Sequence, residues 1–246
     1  MHRAAFAELG LEEEWGYEAI DLGPDEFETG VRDLAASGFA GVNVTVPHKE
    51  AALSVSDACS GAAREIGAAN TLVFSEAGIA ADNTDGPALA AFLPADLAGD
   101  DCLVLGAGGA ARAAVWALLG AGGAVSVWNR TAERAEELAA GFGCHAVEAP
   151  VTGDFRVIIN ATSAGLDGSD PFEFLPLDRD GFREGQILID MVYGAGPDAM
   201  VEAARARGAE AIDGIDVLVG QGALSFEIWT GLSPSREAME RAARSV

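Results

Sequence analysis

Four apolar residues, Cys102–Leu105, run directly into Gly106-Ala107-Gly108-Gly109-Ala110-Ala111, and a helical pattern follows to about Leu119. No other stretch narrows the possible folds as much. A glycine string of the form GxGxxA says little alone, but between a strand and a helix each position has a task. The first glycine permits the tight turn, the second lets backbone approach a ligand, and the small Ala111 allows close packing of helix on strand. The helix N-terminus then faces an anion. The expectation is a βαβ unit that holds the pyrophosphate of a dinucleotide at Gly106, Ala107, Gly108, Gly109 and Ala110.

The next strand, Ala124–Trp128, ends in Asn129-Arg130-Thr131. A site that reads an unphosphorylated ribose usually carries Asp or Glu there. Arginine at that point favours NADP, with Arg134 one helical turn further on joining Arg130 at the 2′-phosphate. The alternative is that both are solvated residues of a helix start.

Helical and strand patterns alternate along the rest of the chain, the signature of a parallel sheet covered by helices. Pro24 opens a helix whose Phe27, Val31 and Leu34 share a face, Gly41–Val46 reads as a buried strand, and Pro47 starts the next helix. Asn70–Phe74 and Ile79–Asn83 read as strands paired around Gly78, and Ser233-Pro234 marks the start of the last helix. With 246 residues, half of them apolar, the chain has room for two α/β domains. The expected fold class is α/β: a substrate domain of residues 1–86 plus 220–246, and a Rossmann-like doubly wound NADP domain of residues 87–219, around a cleft.

Thirty-nine acidic residues against fifteen basic ones give a net charge of −24. That balance argues against nucleic acid as a partner, because duplex binding draws on clustered Lys and Arg. A small anion remains compatible, held by a helix N-terminus and a few arginines. The longest apolar stretch, Ala110–Trp128, is broken by Arg112, Gly120, Gly122 and Gly123, so no membrane association is expected. Cys59, Cys102 and Cys144 are odd in number and form no CxxC pair, which points away from a disulfide framework or a metal site and toward a reducing cytoplasm. The partner is then a small-molecule substrate, and the protein a monomer or homodimer.

Among the basic residues only one is lysine, Lys49, in Asn43-Val44-Thr45-Val46-Pro47-His48-Lys49. A lysine ammonium, unlike a guanidinium, can release its proton inside a folded site. Lys49 falls in a first helical turn at the exit of a strand, where open α/β sheets bind ligands. His48 beside it reads as a surface or capping residue, and Phe226 and Trp229 read as core.

The chain resembles the shikimate dehydrogenase family through eight motifs in order. They are Asn43–Lys49, Ala68-Ala69-Asn70-Thr71, Asp82-Asn83-Thr84-Asp85-Gly86, Gly106–Ala111, Asn129–Thr131, Asn160–Gly165, Asp190–Tyr193, and Asp213-Gly214 with Gln221 and Trp229. The resemblance implies reversible reduction of 3-dehydroshikimate to shikimate with NADP as cofactor, and Lys49 and Asp85 as the catalytic acid–base pair. It also implies that Thr45, Asn70, Asp85 and Gln221 hydrogen-bond the substrate hydroxyls and that Tyr193 lies near the carboxylate. Met191 and Gly214 would touch the nicotinamide side, and Thr162 would line the cofactor site. If Asp85 is adjacent, its opposite charge at about 4 Å, worth about 4 kcal/mol at an effective dielectric near 20, outweighs the about 0.3–1 kcal/mol of an exposed helix end. Lys49 is then an ammonium able to act as acid.

The family opens with a strand and a Ser-x-Ser loop that holds the substrate carboxylate, and this sequence opens at Met1-His2, just after that point. The resemblance therefore implies an exposed sheet edge and weakened carboxylate recognition. Three alternatives stay open: a quinate or quinate/shikimate dehydrogenase, a lyase or aldolase forming a Schiff base at Lys49, and a non-catalytic NADP sensor.

Overall fold

The computed structural model describes residues 1–194 and 198–245. The chain forms two compact units, the first from Met1–Ala88 and Val219–Val246, the second from Leu89–Leu218.

The first unit opens with α1 (His2–Glu8) and α2 (Phe27–Ala36), followed by β1 (Gly41–Asn43), α3 (Lys49–Ser54), β2 (Ala58–Cys59) and α4 (Gly61–Ile66). A hairpin of β3 (Thr71–Ser75) and β4 (Gly78–Asp82) leads into α5 (Asp85–Ala90). The sheet order is β1-β3-β4-β2, with β1 and β4 antiparallel to β3 and only β2 parallel to its neighbour β4. The hairpin agrees with the strands read as paired around Gly78, and the sheet is mixed because the two-residue turn at Glu76-Ala77 leaves no room for the crossover that parallel pairing needs. Phe27 and Val31 of α2 pack on Val44, Ala52 and Val55 and on Leu72, Ile79 and Ala81 of the hairpin.

Several boundaries differ from the sequence reading, and the helix expected to open at Pro24 begins at Phe27. The strand expected over Gly41–Val46 ends at Asn43 and is half-buried. Its last ladder bond runs from Val44 N to Asn70 O at 2.7 Å, and Val46 then stands 73% exposed. The helix expected from Pro47 begins at Lys49, with His48 at its N-cap. β1 is an edge strand, flanked by a groove of about 640 Å³ lined by Arg3, Glu14, Trp15, Tyr17, Glu18 and Trp229 among others. Charged side chains beside an open edge discourage pairing with another chain.

In the second unit, β5 (Asp101–Leu105), α6 (Gly109–Gly120), β6 (Ala124–Trp128), α7 (Ala132–Phe142) and β7 (His145–Ala146) are followed by β8 (Val157–Asn160) and β9 (Ile187–Asp190). α8 (Ala199–Ala206) and β10 (Glu210–Ile212) complete it. All six strands are parallel in the order β10-β9-β8-β5-β6-β7, a doubly wound sheet whose winding reverses at β5. β8 and β9 are buried along their whole length and β5 from Cys102 onward, because helices cover both faces of such a sheet. The chain then runs through α9 (Gly214–Thr230) into the first unit and ends in α10 (Arg236–Ala243), capped by Ser235 rather than at Ser233.

His2 is buried at 2% exposure, stacked on Tyr17 at 4.3 Å and near Trp229 at 5.7 Å. Burial lowers its imidazole from the usual 6.5 to about 4. Between those pH values the unfolded chain takes up a proton that the folded chain refuses, so stability falls as pH drops through that window, by roughly 3 kcal/mol at most. Thermal melts across pH 4–7 should show this loss, and His2→Phe, which keeps a stacked ring without a proton site, should flatten it. Parallel curves for the two proteins would refute the assignment.

Candidate active site

Lys49 enters the first turn of α3 and Asp85 opens α5, and their side chains meet with Nζ 2.7 Å from Oδ2 at 13% and 5% exposure. The hairpin makes this meeting possible. Ala69 N donates to Lys49 O at 2.8 Å, tying α3 to the start of β3, while β4 carries the chain back alongside β3 to Asp85. A half-buried ammonium touching a buried carboxylate is a pre-positioned proton donor.

Asn70 is 2% exposed and its amide orientation is fixed by what surrounds it. Thr84 N, which can only donate, lies 2.8 Å from Asn70 Oδ1, so Nδ2 is the atom that faces Thr84 Oγ1 at 2.9 Å and Gln221 Oε1 at 3.2 Å. The structure thus brings Lys49, Asp85, Asn70 and Gln221 together within the first unit. Thr45 is exposed in the loop between β1 and α3. His48 stacks its ring on Phe27 at 4.5 Å and bonds Leu22 O at 2.9 Å, in keeping with a structural role.

In the second unit, Gly106 has φ +112° and a Cβ there would lie 2.8 Å from Ala161 O, so only glycine fits. At Gly108 a Cβ would meet nothing within 4 Å, and the first turn of α6 has no side-chain cap. Open backbone at an uncapped helix start suits a phosphate-bearing dinucleotide, and the residues present fit that group. Arg130 and Arg134 are exposed and make no ion pair among the described residues, while Asn129 Nδ2 bonds Thr131 O at 2.9 Å and shapes the entry to α7. Thr162 Oγ1 donates to Asn160 Oδ1 at 2.7 Å and accepts from Ala164 N at 3.1 Å, holding the loop after β8. A side chain at Gly214 would collide with the Val192 carbonyl, whereas Met191 is half-buried and Tyr193 is 44% exposed.

Two features escape the sequence reading. Asp190, at the end of β9, bonds Asn160 Nδ2 and Val192 N at 2.9 Å each, and burial together with the Asp198 carboxylate raises its carboxyl to about 8. Ser225 is 0% exposed and reaches Asn43, Thr71 and Thr84. Only its position four residues after Gln221, on the same helix face, could have drawn notice to it. The three cysteines are free, and burial pushes the Cys102 thiol up to about 12, which keeps it protonated and unreactive. No described helix is long and apolar enough to cross a membrane.

Residues 1–72 match the family model described as shikimate dehydrogenase substrate binding domain. Residues 88–164 match that of shikimate / quinate 5-dehydrogenase, and residues 214–244 the C-terminal domain of shikimate 5'-dehydrogenase. Shikimate dehydrogenase (NADP(+)) of Shouchella clausii (strain KSM-K16) is 38% identical over 99% of this chain and 92% of its own length. The crystal structure of shikimate 5-dehydrogenase from Thermus thermophilus in complex with NADP(H) and shikimate superposes with a TM-score of 0.86. It is 39% identical, over 99% of this chain and 92% of that one. A ligand-free 5-ketofructose reductase of Gluconobacter sp. strain CHM43 has TM-score 0.84 at 29% identity, over 99% and 91% of the two chains. Fold, motif order and full-length similarity agree, and the chain belongs to the shikimate dehydrogenase family.

Proposed function

We propose that this protein catalyses the reversible NADP-dependent reduction of 3-dehydroshikimate to shikimate, a step of chorismate and aromatic amino-acid biosynthesis, in a reducing cytoplasm. The observation that carries the reading is the Lys49–Asp85 pair at 2.7 Å, shielded to 13% and 5% exposure; in the same unit the Asn70 and Gln221 amides meet at 3.2 Å. Bound NADPH supplies a hydride to the ring carbonyl carbon. As charge grows on the carbonyl oxygen, the Lys49 ammonium stabilises it and delivers the proton that makes the hydroxyl. Asp85 orients the ammonium, and in the oxidative direction the neutral amine takes the hydroxyl proton back.

Thr45, Asn70, Asp85 and Gln221 are assigned to the substrate hydroxyls, and Tyr193 to the carboxylate. In the second unit Gly106, Ala107, Gly108, Gly109 and Ala110 cradle the pyrophosphate, and Asn129, Arg130, Thr131 and Arg134 take the adenosine ribose with its 2′-phosphate. Thr162, Met191 and Gly214 form the nicotinamide side. The test is a substrate panel followed by NADPH absorbance, with shikimate, quinate and reduced sugars each offered NADP and NAD. Shikimate with NADP should give the highest kcat/KM. Turnover confined to quinate with NAD, or to a sugar, would reassign the substrate, and tight NADP binding without any turnover would make the protein a sensor.

A further inference from the structure

One buried hydroxyl outside the proposed catalytic and substrate-binding set joins four segments of the first unit. Ser225 Oγ accepts from Asn43 Nδ2 at 2.8 Å and lies 2.8 Å from Thr71 Oγ1, 3.1 Å from Thr84 Oγ1 and 3.1 Å from Gln221 O. Those partners come from the end of β1, the start of β3, the loop before α5 and the preceding turn of α9. A single hydroxyl has one proton and two lone pairs. These four neighbours therefore compete for three hydrogen bonds, and the capacity of the hydroxyl is filled.

What hangs on this knot is the amide of Asn70. Thr71 Oγ1 donates to Asn70 Oδ1 at 3.1 Å, Thr84 presents both its N–H and its hydroxyl to the same amide, and Asn70 in turn meets Gln221 Oε1 at 3.2 Å. Ser225, Thr71 and Thr84 are all at most 2% exposed, so water cannot substitute cheaply for a missing hydroxyl. Thr84 is also the residue that precedes Asp85. On the outer side the knot continues through Asn43, whose Oδ1 accepts from the Tyr17 hydroxyl at 3.0 Å.

We infer that Ser225 is a positioning residue, whose buried hydroxyl fixes the orientation of the Asn70 and Gln221 amides so that they present one defined donor and acceptor pattern to the substrate hydroxyls. The inference rests on the assignment of Asn70 and Gln221 as substrate contacts. Ser225 acts through them and touches neither the substrate nor the Lys49–Asp85 pair. Loss of its hydroxyl should weaken substrate recognition and leave the chemical step intact.

The experiment compares Ser225→Ala, Thr71→Val and Thr71→Ser with the parent protein. Thr71→Val removes a knot hydroxyl with almost no change of shape, and Thr71→Ser restores it. The two deletions should raise KM for shikimate about ten-fold with kcat within about two-fold and NADP affinity unchanged, and Thr71→Ser should recover most of the loss. The Asn70 side-chain amide hydrogens, followed by NMR, should exchange with solvent several-fold faster in both deletions. If Ser225→Ala fails to fold, the Thr71 pair decides the matter alone. Unchanged KM in the deletions, or Thr71→Ser as impaired as Thr71→Val, would overturn the inference. If the parent protein does not act on shikimate, that result sinks the proposed function instead, and the amide exchange decides: rates in the deletions equal to those of the parent would end the positioning role.

Discussion

Lys49→Met should lower kcat for shikimate oxidation at least about a thousand-fold, while NADP affinity stays within about two-fold. A general acid contributes about 10²–10⁴, and a donor placed where charge develops about 10²–10³. One ammonium is asked to do both. Because Lys49 and Asp85 are 13% and 5% exposed, the substitution also strands a buried carboxylate. Breaking one side of such a pair costs about 3–5 kcal/mol of stability, so a melting shift alone would confuse the reading. Asp85→Asn added to Lys49→Met separates the effects: it removes the stranded charge and should restore most of the melting temperature without restoring turnover. Turnover recovered by the double variant would mean that Lys49 supports the fold and not the chemistry. Equal loss of NADP affinity in the single variant would contradict the assigned role from the other direction.

The second unit is the part most readable in advance, and the reason is geometric. A parallel strand with helices on both faces must be apolar at every position, so Cys102–Leu105 announces itself within a residue of its observed bounds, whereas Ala124–Trp128 shows by alternation, with Val125 and Val127 buried. Gly106 announces the turn because no other residue tolerates φ +112° against the Ala161 carbonyl. The first unit is harder. Val42, Val44 and Val46 alternate as a half-buried strand would, yet pairing stops at Val44 because β3 offers no partner beyond Asn70. Period alone shows that a segment can be a strand and not how far its neighbour extends.

The site divides along the same line. Lys49 stands out as a residue type, but its meeting with Asp85 across thirty-six positions is the work of the hairpin and came to the sequence reading only through the family resemblance. Local spacing says nothing of it. The hydroxyl knot is less legible still: Asn43, Thr71, Thr84 and Ser225 are small polar residues with ordinary strand-end or turn readings. Topology alone puts each of them within 3.4 Å of at least two of the others.

Arg130→Glu should raise KM for NADP by about 10²–10³ and shift preference toward NAD. Arg130 is exposed at the end of β6 with no ion pair among the described residues, and Arg134 stands one turn further along α7. In a chain of net charge −24, two adjacent guanidiniums without a carboxylate partner among the described residues are a local reversal of the field. They suit a phosphate that carries close to two negative charges and can accept bidentate hydrogen bonds. Reversing Arg130 removes that attraction and adds repulsion, and the new carboxylate can instead accept from the 2′-hydroxyl of NAD. Arg134→Glu should act in the same direction and more weakly, since it starts one turn further from the end of β6 and needs a longer reach. Because both side chains are exposed, raising salt should narrow the difference between the parent and Arg130→Glu. Competition assays with NADP, NAD and 2′-phosphate fragments would measure it. A KM for NADP within two-fold of the parent in both variants would move phosphate selection elsewhere in the second unit.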